Sequence, residues 1–142
     1  MPTRKAHAVW KGTLKAGSGE MAVESGAFKG AYSFGTRFGE EKGTNPEELI
    51  GAAHAGCFSM ALSGVLEAAG HPPTRIETEA AVSVEKQGDG FSITTVRLTT
   101  KGQVPGIDAE RFKALAEQAK NGCPVSRALT GVSISLEAEL LD

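Results

Sequence analysis

The stretch that decides the fold is NPEELIGAAHAGCFSMALSGVLEAAG, which runs from position 45 to position 70. Its beginning carries three helix-start signals: Asn45 as the N-cap, Pro46 at the first helical position, and two glutamates in the first turn. Gly70 supplies the stop signal, and two prolines follow just beyond it. The sequence therefore predicts the longest helix of the chain over residues 46–69.

The central part of this helix is apolar enough to raise the question of a membrane span. No charged residue occurs from Leu49 to Leu66, and that length just reaches the threshold of about 18 residues. Glycines, serines and a histidine interrupt the stretch, however, and Glu48 and Glu67 flank it. A helix buried in a soluble core, with small residues that let other backbones come close, explains this pattern better.

Outward from the helix, alternating apolar and polar residues predict strands on both sides. Residues 6–14 and 20–25 flank a turn at 17–19, and a third extended piece covers 28–34. A second hairpin joins residues 75–86 and 91–101. A glycine-rich, charged loop over 39–43 precedes the long helix.

The last third of the chain alternates between helix and strand. Asp108 caps a helix that runs to about Lys120, Pro124 opens a short helix, and residues 132–140 form a closing strand. The order is three strands, helix, two strands, two helices, strand. This order predicts an α+β protein with mostly antiparallel strands and a single domain over 1–142.

Composition narrows the class of protein. The 142 residues are 40% hydrophobic and 23% charged, which is typical of a soluble globular protein with a core that needs neither metal nor disulfide. Fifteen basic residues against 17 acidic ones give a net charge of −2, and no basic run exists that would hold nucleic acid. The N-terminus does not have the pattern of a signal peptide. We therefore expect a cytoplasmic protein without nucleic-acid or membrane partners.

Metal and cofactor sites are not indicated. Only His54 and Cys57 share a helical face among the cysteines and the three histidines, and no third ligand is spaced to join them. The two cysteines of a cytosolic chain favour either a redox role or simple burial.

The two cysteines differ in local setting, and local setting favours Cys123 as the nucleophile. Cys57 lies in the middle of an apolar helix, where a free cysteine is usually core filler. No helix N-terminus is expected near Cys57, so its activation would need a positive side chain brought by the fold. Cys123 directly precedes Pro124 and occupies the N-cap of a short helix, where unpaired amides favour a thiolate.

Four runs of the sequence match the signature of one family. They are TRF at 36–38, GTNPEELIGAAHAGCFSMAL at 43–62, VPGID at 104–108 and GCPVS at 122–126. Together they resemble the OsmC/Ohr family of osmotically inducible and organic-hydroperoxide-resistance proteins, over essentially the whole chain. The EELI run together with His54 is more similar to the OsmC branch.

The resemblance implies a thiol-dependent peroxidase that reduces organic hydroperoxides and hydrogen peroxide in oxidative and osmotic stress defence. It places the peroxidatic thiol at Cys57, the resolving thiol at Cys123, the family arginine at Arg37 and its partner glutamate at Glu47. It implies no cofactor and an external thiol reductant of dithiol or lipoyl type. The implied fold is OsmC-like, with sheets packed around a long central helix in an intertwined homodimer that has two sites at the subunit interface.

Helix position separates the two candidate glutamates. With Asn45 as N-cap, Glu48 falls at N3, where a side chain reaches back to cap the helix. Glu47 is then left to orient Arg37, whose planar guanidinium suits a thiolate and a peroxide oxygen together. Without the family match, Arg37 reads as an exposed loop arginine and Glu47 as an acid that favours the helix dipole.

Helix length constrains how the site is built. Ten residues of straight helix separate Glu47 from Cys57, a rise of about 15 Å, so one guanidinium cannot bind both. Either the helix is broken between them, or each site combines Cys57 of one chain with Glu47 of the other. We expect the second arrangement.

Other residues leave alternatives open. We expect His54 to be partly buried with a local hydrogen bond, although it lies one turn before Cys57. Phe34, Phe38, Phe58 and Met60 form either an apolar wall for alkyl hydroperoxides or ordinary core. The alternative function is a non-catalytic stress dimer that binds a small ligand and has structural cysteines.

Overall fold

The computed structural model describes residues 1–142, which form two compact units, residues 1–49 and 50–142. The elements in chain order are β1 (Ala6–Lys11), β2 (Ser18–Val23), β3 (Lys29–Tyr32), α1 (Phe34–Phe38), α2 (Pro46–Ala68), β4 (Arg75–Gln87), β5 (Gly90–Gln103), α3 (Ala109–Gly122), α4 (Pro124–Ala128) and β6 (Ser133–Leu141). The predicted α+β order is confirmed, with α1 as the one addition.

The first unit contains an antiparallel sheet in the order β1-β2-β3. The strand predicted over 6–14 ends at Lys11 instead, because Gly12 has a φ of 96° that turns the chain. The predicted turn at 17–19 is wrong for the same reason: the turn covers 12–17, and Ser18 already pairs with Lys11.

The short helix α1 replaces the loop that the sequence predicts around Arg37. Ser33 caps it: the Ser33 hydroxyl accepts the Thr36 backbone N–H, and the Thr36 hydroxyl accepts the Ser33 backbone N–H. This reciprocal capping satisfies two amides that a helix start otherwise leaves unpaired. Five residues are too few for a periodic pattern, which is why the sequence gives no signal for α1.

Both ends of α2 are built as predicted. The Asn45 side chain accepts the Glu48 backbone N–H at 2.8 Å. At the other end, the N–H of His71 donates to the Leu66 carbonyl at 2.8 Å and that of Gly70 to the Glu67 carbonyl at 3.0 Å. These two bonds form a Schellman motif, which needs the positive φ of 86° found at Gly70.

The second unit is built on a sheet with the order β4-β5-β6. The predicted hairpin is present, and the Gln87–Gly90 pair closes a two-residue loop. β6 returns parallel to β5 after α3 and α4. Three of the four strand pairings in the protein are antiparallel, which confirms the prediction of mostly antiparallel strands.

The hydrophobic core lies in this second unit, where α2 and α3 pack on the sheet. Its buried members are Phe58, Leu62, Leu66, Val96, Leu98, Val104, Phe112, Leu115, Ala116, Ala119 and Cys123. By length and composition alone α2 could cross a membrane. The complete burial of three of its large side chains in this core is what the sequence predicts for a core helix instead.

A chain of hydroxyl groups also fixes α2 to the sheet. Ser59 donates to Thr78 on β4 at 2.8 Å, and Thr78 lies 3.0 Å from the hydroxyl of Thr100 on β5. Thr100 donates in turn to the Glu77 carbonyl at 3.2 Å. Each of the three hydroxyls between the helix and the sheet therefore has a hydrogen-bond partner.

The Schellman glycine predicts a difference between two Gly→Ala variants. Gly70→Ala places a side chain at positive φ and lowers the free energy of unfolding by about 1 kcal/mol. Gly122→Ala is the matched control, since Gly122 ends α3 without positive φ and has open space around it. Urea denaturation measures both, and equal losses for the two variants would contradict the assignment of this helix end.

Candidate active site

Arg37 and Glu47 form a close ion pair in the first unit. Arg37 Nη2 donates to Glu47 Oε1 at 2.7 Å, and Arg37 Nε donates to Oε1 and Oε2 at 2.9 and 3.1 Å. The Glu47 side chain is 7% exposed, whereas the Arg37 side chain keeps 35%. A guanidinium held through two of its nitrogens has its plane fixed, so this pair orients Arg37.

Asn45 connects the helix that carries Arg37 to the helix that carries Glu47. Its side-chain N–H donates to the carbonyl of Thr36 in the middle of α1, while its oxygen caps α2. Glu48 does not complete a reciprocal capping box as expected, because its carboxylate accepts the Thr44 hydroxyl at 3.3 Å. Glu48 thus stays at the helix start, and Glu47 is the glutamate that binds Arg37.

Arg37 also borders an apolar cavity of about 250 Å³ within the first unit. The other side chains that line it include Trp10, Leu14, Tyr32, Phe34 and Phe38. The sequence gives no role to Trp10 or Tyr32, because they become neighbours only through the pairing of β1, β2 and β3. Their rings lie 5.4 Å apart.

The four apolar residues for which the sequence leaves both an apolar wall and ordinary core packing open fall into two groups. Phe34 and Phe38 contribute to the cavity beside Arg37, with their rings 4.9 Å apart. Phe58 is completely buried in the core of the second unit, and Met60 is 79% exposed. Phe58 thus follows the core alternative, whereas Met60 neither packs in the core nor lines this cavity.

The two cysteines meet in the second unit. Cys57 Sγ lies 3.0 Å from Cys123 Sγ, and both residues are free thiols. Cys123 is completely buried, whereas Cys57 is only partly buried. A disulfide bond is about 2.05 Å long, so the two sulfurs need to approach by only about 1 Å to join.

The two thiols have opposite pKa shifts. Burial raises the pKa of Cys57, and the hydrogen bond with Cys123 raises it further. Burial also raises the pKa of Cys123, but hydrogen bonds from Cys57 and from the backbone and side chain of Ser126 outweigh it and lower the pKa. Within one chain, Cys123 is thus the sulfur that ionises first, in keeping with its N-cap position.

One expectation about Cys57 is wrong. The sequence places no helix N-terminus near it, but the backbone N–H of Val125 at the start of α4 donates to the Cys57 sulfur and lowers its pKa. The contact joins residues that are far apart in sequence, so no local pattern could show it. The effect is smaller than that of burial, and the pKa of Cys57 stays raised.

His54 also departs from expectation. It is completely buried, and its Nε2 lies 2.7 Å from the Ser126 hydroxyl on α4, 72 positions away. Its Nδ1 is buried without a hydrogen-bond partner. Burial lowers the pKa of His54, so the ring is neutral at pH 7.

The structure thus brings the four predicted site residues together as two pairs, Arg37–Glu47 in the first unit and Cys57–Cys123 in the second. α2 is continuous from Pro46 to Ala68. The alternative in which the helix breaks between Glu47 and Cys57 is therefore excluded. No group of three or more His, Cys, Asp and Glu side chains is placed to hold a metal ion.

The sequence model of the family described as "OsmC-like protein" matches residues 39–137, which include both cysteines and Glu47. The chain belongs to the OsmC-like family. It is 51% identical to the peroxiredoxin OsmC of Escherichia coli K12 over 138 residues, 96% of each chain. It is 35% identical to the organic hydroperoxide resistance protein OhrA of Bacillus subtilis over 102 residues, 68% of each chain.

A solved structure agrees with this membership. The crystal structure of the organic hydroperoxide resistance protein OhrB of Bacillus subtilis matches with a TM-score of 0.76 and 28% identity. The match covers 95% of this chain and 98% of OhrB. The OsmC-like fold predicted from the sequence is confirmed.

The geometry of the ion pair in this OsmC-like chain predicts unequal effects of two charge-removing variants. Glu47→Gln replaces a buried carboxylate that accepts three bonds from Arg37, so the free energy of unfolding falls by about 1–2 kcal/mol. Glu48→Gln, at the exposed neighbouring position, changes it by less than about 0.5 kcal/mol. Urea denaturation compares them, and a larger loss in Glu48→Gln would contradict the pairing.

Proposed function

We propose that this cysteine-based peroxidase reduces organic hydroperoxides, and hydrogen peroxide, by a cycle in which Cys57 is oxidised and Cys123 resolves it. The observation that carries the proposal is the 3.0 Å separation of the two sulfurs. A thiol that is both partly accessible and in contact with a second thiol suits oxidation followed by disulfide formation. The names of the relatives from Escherichia coli and Bacillus subtilis support the same activity.

The first step oxidises Cys57. Its thiolate attacks one peroxide oxygen, the O–O bond breaks, and the alkoxide or hydroxide that leaves takes a proton to become an alcohol or water. An ordinary cysteine is only about 3% thiolate at pH 7, so complete ionisation accelerates this step by at most about thirtyfold. The remaining acceleration must come from orienting the peroxide and stabilising the leaving oxygen.

The second step converts the sulfenic acid of Cys57 into a disulfide with Cys123. Cys123 attacks the Cys57 sulfenic acid, the S–O bond breaks, and the hydroxide leaves as water with the proton of the Cys123 thiol. The resulting disulfide needs two electrons from an external thiol, which we propose to be a dithiol or a lipoyl group. No other cofactor takes part in this scheme.

We propose Arg37 as the cation that ionises Cys57 and binds the peroxide. The raised pKa of Cys57 within one chain supports the need for such a cation. Because α2 separates Glu47 from Cys57 by about 15 Å of rise, we infer that Arg37 and Glu47 of one subunit serve Cys57 of the other. The site is then complete only in a homodimer.

Two features of burial support the homodimer. In the first unit, Thr44 and Glu47 are the only buried residues, so its sheet has no apolar core of its own. In the second unit, only 28% of the most apolar 18-residue window of α2 is buried. A three-stranded sheet and an apolar helix both need a covering partner, and an intertwined second copy would supply it.

The cavity beside Arg37 supports organic hydroperoxides as the preferred substrates. Its aromatic lining can bind an alkyl or aryl group while the guanidinium holds the peroxide oxygens. Within the cytoplasm, where we place the protein, such an activity serves defence against oxidative and osmotic stress.

Stoichiometric oxidation tests the two-cysteine cycle. We expect one equivalent of cumene hydroperoxide to remove two hydrogens from the reduced protein, read by mass spectrometry under non-reducing conditions. Cys57→Ser consumes no peroxide, and Cys123→Ser stops at a sulfenic acid that dimedone traps. If Cys57→Ser keeps full activity, Cys123 is the nucleophile instead. If the wild type keeps its mass and binds peroxide unchanged, the non-catalytic ligand-binding function is correct.

Mixed dimers test whether each site contains residues from both subunits. Two differently tagged chains are co-expressed, and the heterodimer is purified through both tags. For Cys57→Ser paired with Arg37→Ala, one site keeps both residues only if they come from different chains, so we expect about half of wild-type activity.

The reciprocal heterodimer is the control. It pairs the wild-type chain with the double variant Cys57→Ser/Arg37→Ala, and the shared site predicts almost no activity because neither site keeps both residues. The opposite pattern, with an active control and an inactive test pair, would show that each chain builds its own site. A protein that is monomeric in solution would refute the homodimer.

A further inference from the structure

The buried histidine of α2 has no part in the cycle described above, yet it is linked to the resolving cysteine. His54 Nε2 lies 2.7 Å from the hydroxyl of Ser126. Ser126 follows Cys123 by three residues at the start of α4, and its side chain, as a donor toward the Cys123 sulfur, lowers the pKa of that thiol. Cys123 in turn contacts Cys57 at 3.0 Å. Four side chains from α2 and the region of α4 thus form one continuous line, which ends at the reacting sulfur.

The number of protons that Ser126 can donate determines which group donates and which accepts along this line. A serine hydroxyl has a single proton to donate and lone pairs to accept with. If Ser126 donates to the Cys123 thiolate, it must accept from His54, so the imidazole proton lies on Nε2. If the proton lay on Nδ1 instead, Ser126 would donate to His54 and would have nothing left to donate to the thiolate.

The surroundings of the ring favour the first arrangement. Nδ1 is buried without a partner, and an N–H group in that position would lose the full free energy of its hydrogen bond to water. Unpaired buried donors are rarer in proteins than unpaired acceptors. The ring therefore carries its proton on Nε2, facing Ser126.

We propose that His54 and Ser126 are positioning residues for the resolving step, and that His54 holds the Ser126 hydroxyl so that it donates to Cys123 as this sulfur attacks the Cys57 sulfenic acid. The inference rests on the proposed two-cysteine cycle and adds a function to a residue outside it. In the step itself the Cys123 sulfur gives an electron pair to the Cys57 sulfur, the S–O bond breaks, and hydroxide leaves as water with the former thiol proton. The Ser126 hydroxyl stabilises the thiolate from which the attack starts.

The burial of Cys123 explains why its thiolate needs a hydrogen bond from the protein. Its side chain is completely buried, so water cannot solvate a thiolate there, and only protein donors can replace it. The backbone N–H groups of Val125 and Ser126 help to lower the pKa of Cys123 but form no cap hydrogen bond with its side chain, and the Ser126 hydroxyl adds a donor whose direction is free to rotate. By donating to the Ser126 oxygen, His54 fixes the rotation of that hydroxyl.

Single-turnover kinetics test the proposal. Reduced protein is mixed with one equivalent of cumene hydroperoxide, quenched in acid at intervals and analysed by mass, which separates the sulfenic acid (one oxygen gained) from the disulfide (two hydrogens lost). We expect Ser126→Ala and His54→Leu to slow the conversion of sulfenic acid to disulfide about tenfold, as for a lost hydrogen bond to a charged group. Both variants still form the sulfenic acid in the same experiment, which shows that they are folded.

Two further variants distinguish positioning from a structural role. His54→Gln places an amide N–H near the position of Nε2 and restores the resolving rate to within about threefold of wild type. The double variant His54→Leu/Ser126→Ala resolves no more slowly than Ser126→Ala alone, because His54 acts only through Ser126. Ser63→Ala is the matched control, since it removes a hydroxyl of α2 that lies outside this line of side chains, and it resolves at the wild-type rate.

The outcomes separate the two proposals. If the wild type forms the disulfide and the His54 and Ser126 variants do so equally fast, the positioning role is refuted while the cycle stands. Additive losses in the double variant, or no recovery in His54→Gln, also refute it. If the wild type forms no disulfide, the two-cysteine cycle fails and the positioning role fails with it.

Discussion

The contact between Cys57 and Cys123 depends on how α2 is fixed within the second unit. Phe58, the neighbour of Cys57, is completely buried, and Ser59 is tied to Thr78 on the sheet. With these two neighbours held, α2 cannot rotate, and the Cys57 side chain is directed at the start of α4. Cys123 is fixed from the other side, because it is both the C-cap residue of α3 and the N-cap residue of α4. Close packing thus places two sulfurs from distant parts of the chain within reach of a bond.

The electrostatics of this pair explain why local reasoning and the family pattern disagree about the nucleophile. When the pair loses its first proton, the donors around each sulfur decide which of the two carries the negative charge. Within one chain, the donors of Val125 and Ser126 favour the charge on Cys123. A guanidinium next to Cys57 would reverse this balance, since a full positive charge outweighs neutral N–H donors. The choice of peroxidatic cysteine is then a property of the assembled protein.

Those parts of this arrangement that depend on residues close together in the chain can be predicted from the sequence. The caps of α2, the Asp108 cap of α3 and the hairpin around residues 88–90 follow from single residues with strong conformational preferences. α1 is missed because its cap is a serine followed by only five helical residues, and the end of β1 because Gly12 turns the chain early. The contacts of His54 with Ser126 and of Cys57 with Val125 join residues about 70 positions apart. Such contacts depend on packing, which no local pattern encodes.

The distribution of buried groups suggests a connection between the formation of a dimer and the reactivity of Cys57. The first unit buries the Glu47 carboxylate against Arg37 but no apolar side chain, and a buried ion pair adds little to stability after its desolvation. Hydrophobic burial from a second copy would supply the missing stability, and the same contact would bring the oriented guanidinium to Cys57. In an unassembled chain the pKa of Cys57 is raised, so as the proposed peroxidatic thiol it would react slowly with peroxide. Reactivity would then arise only once the dimer has formed.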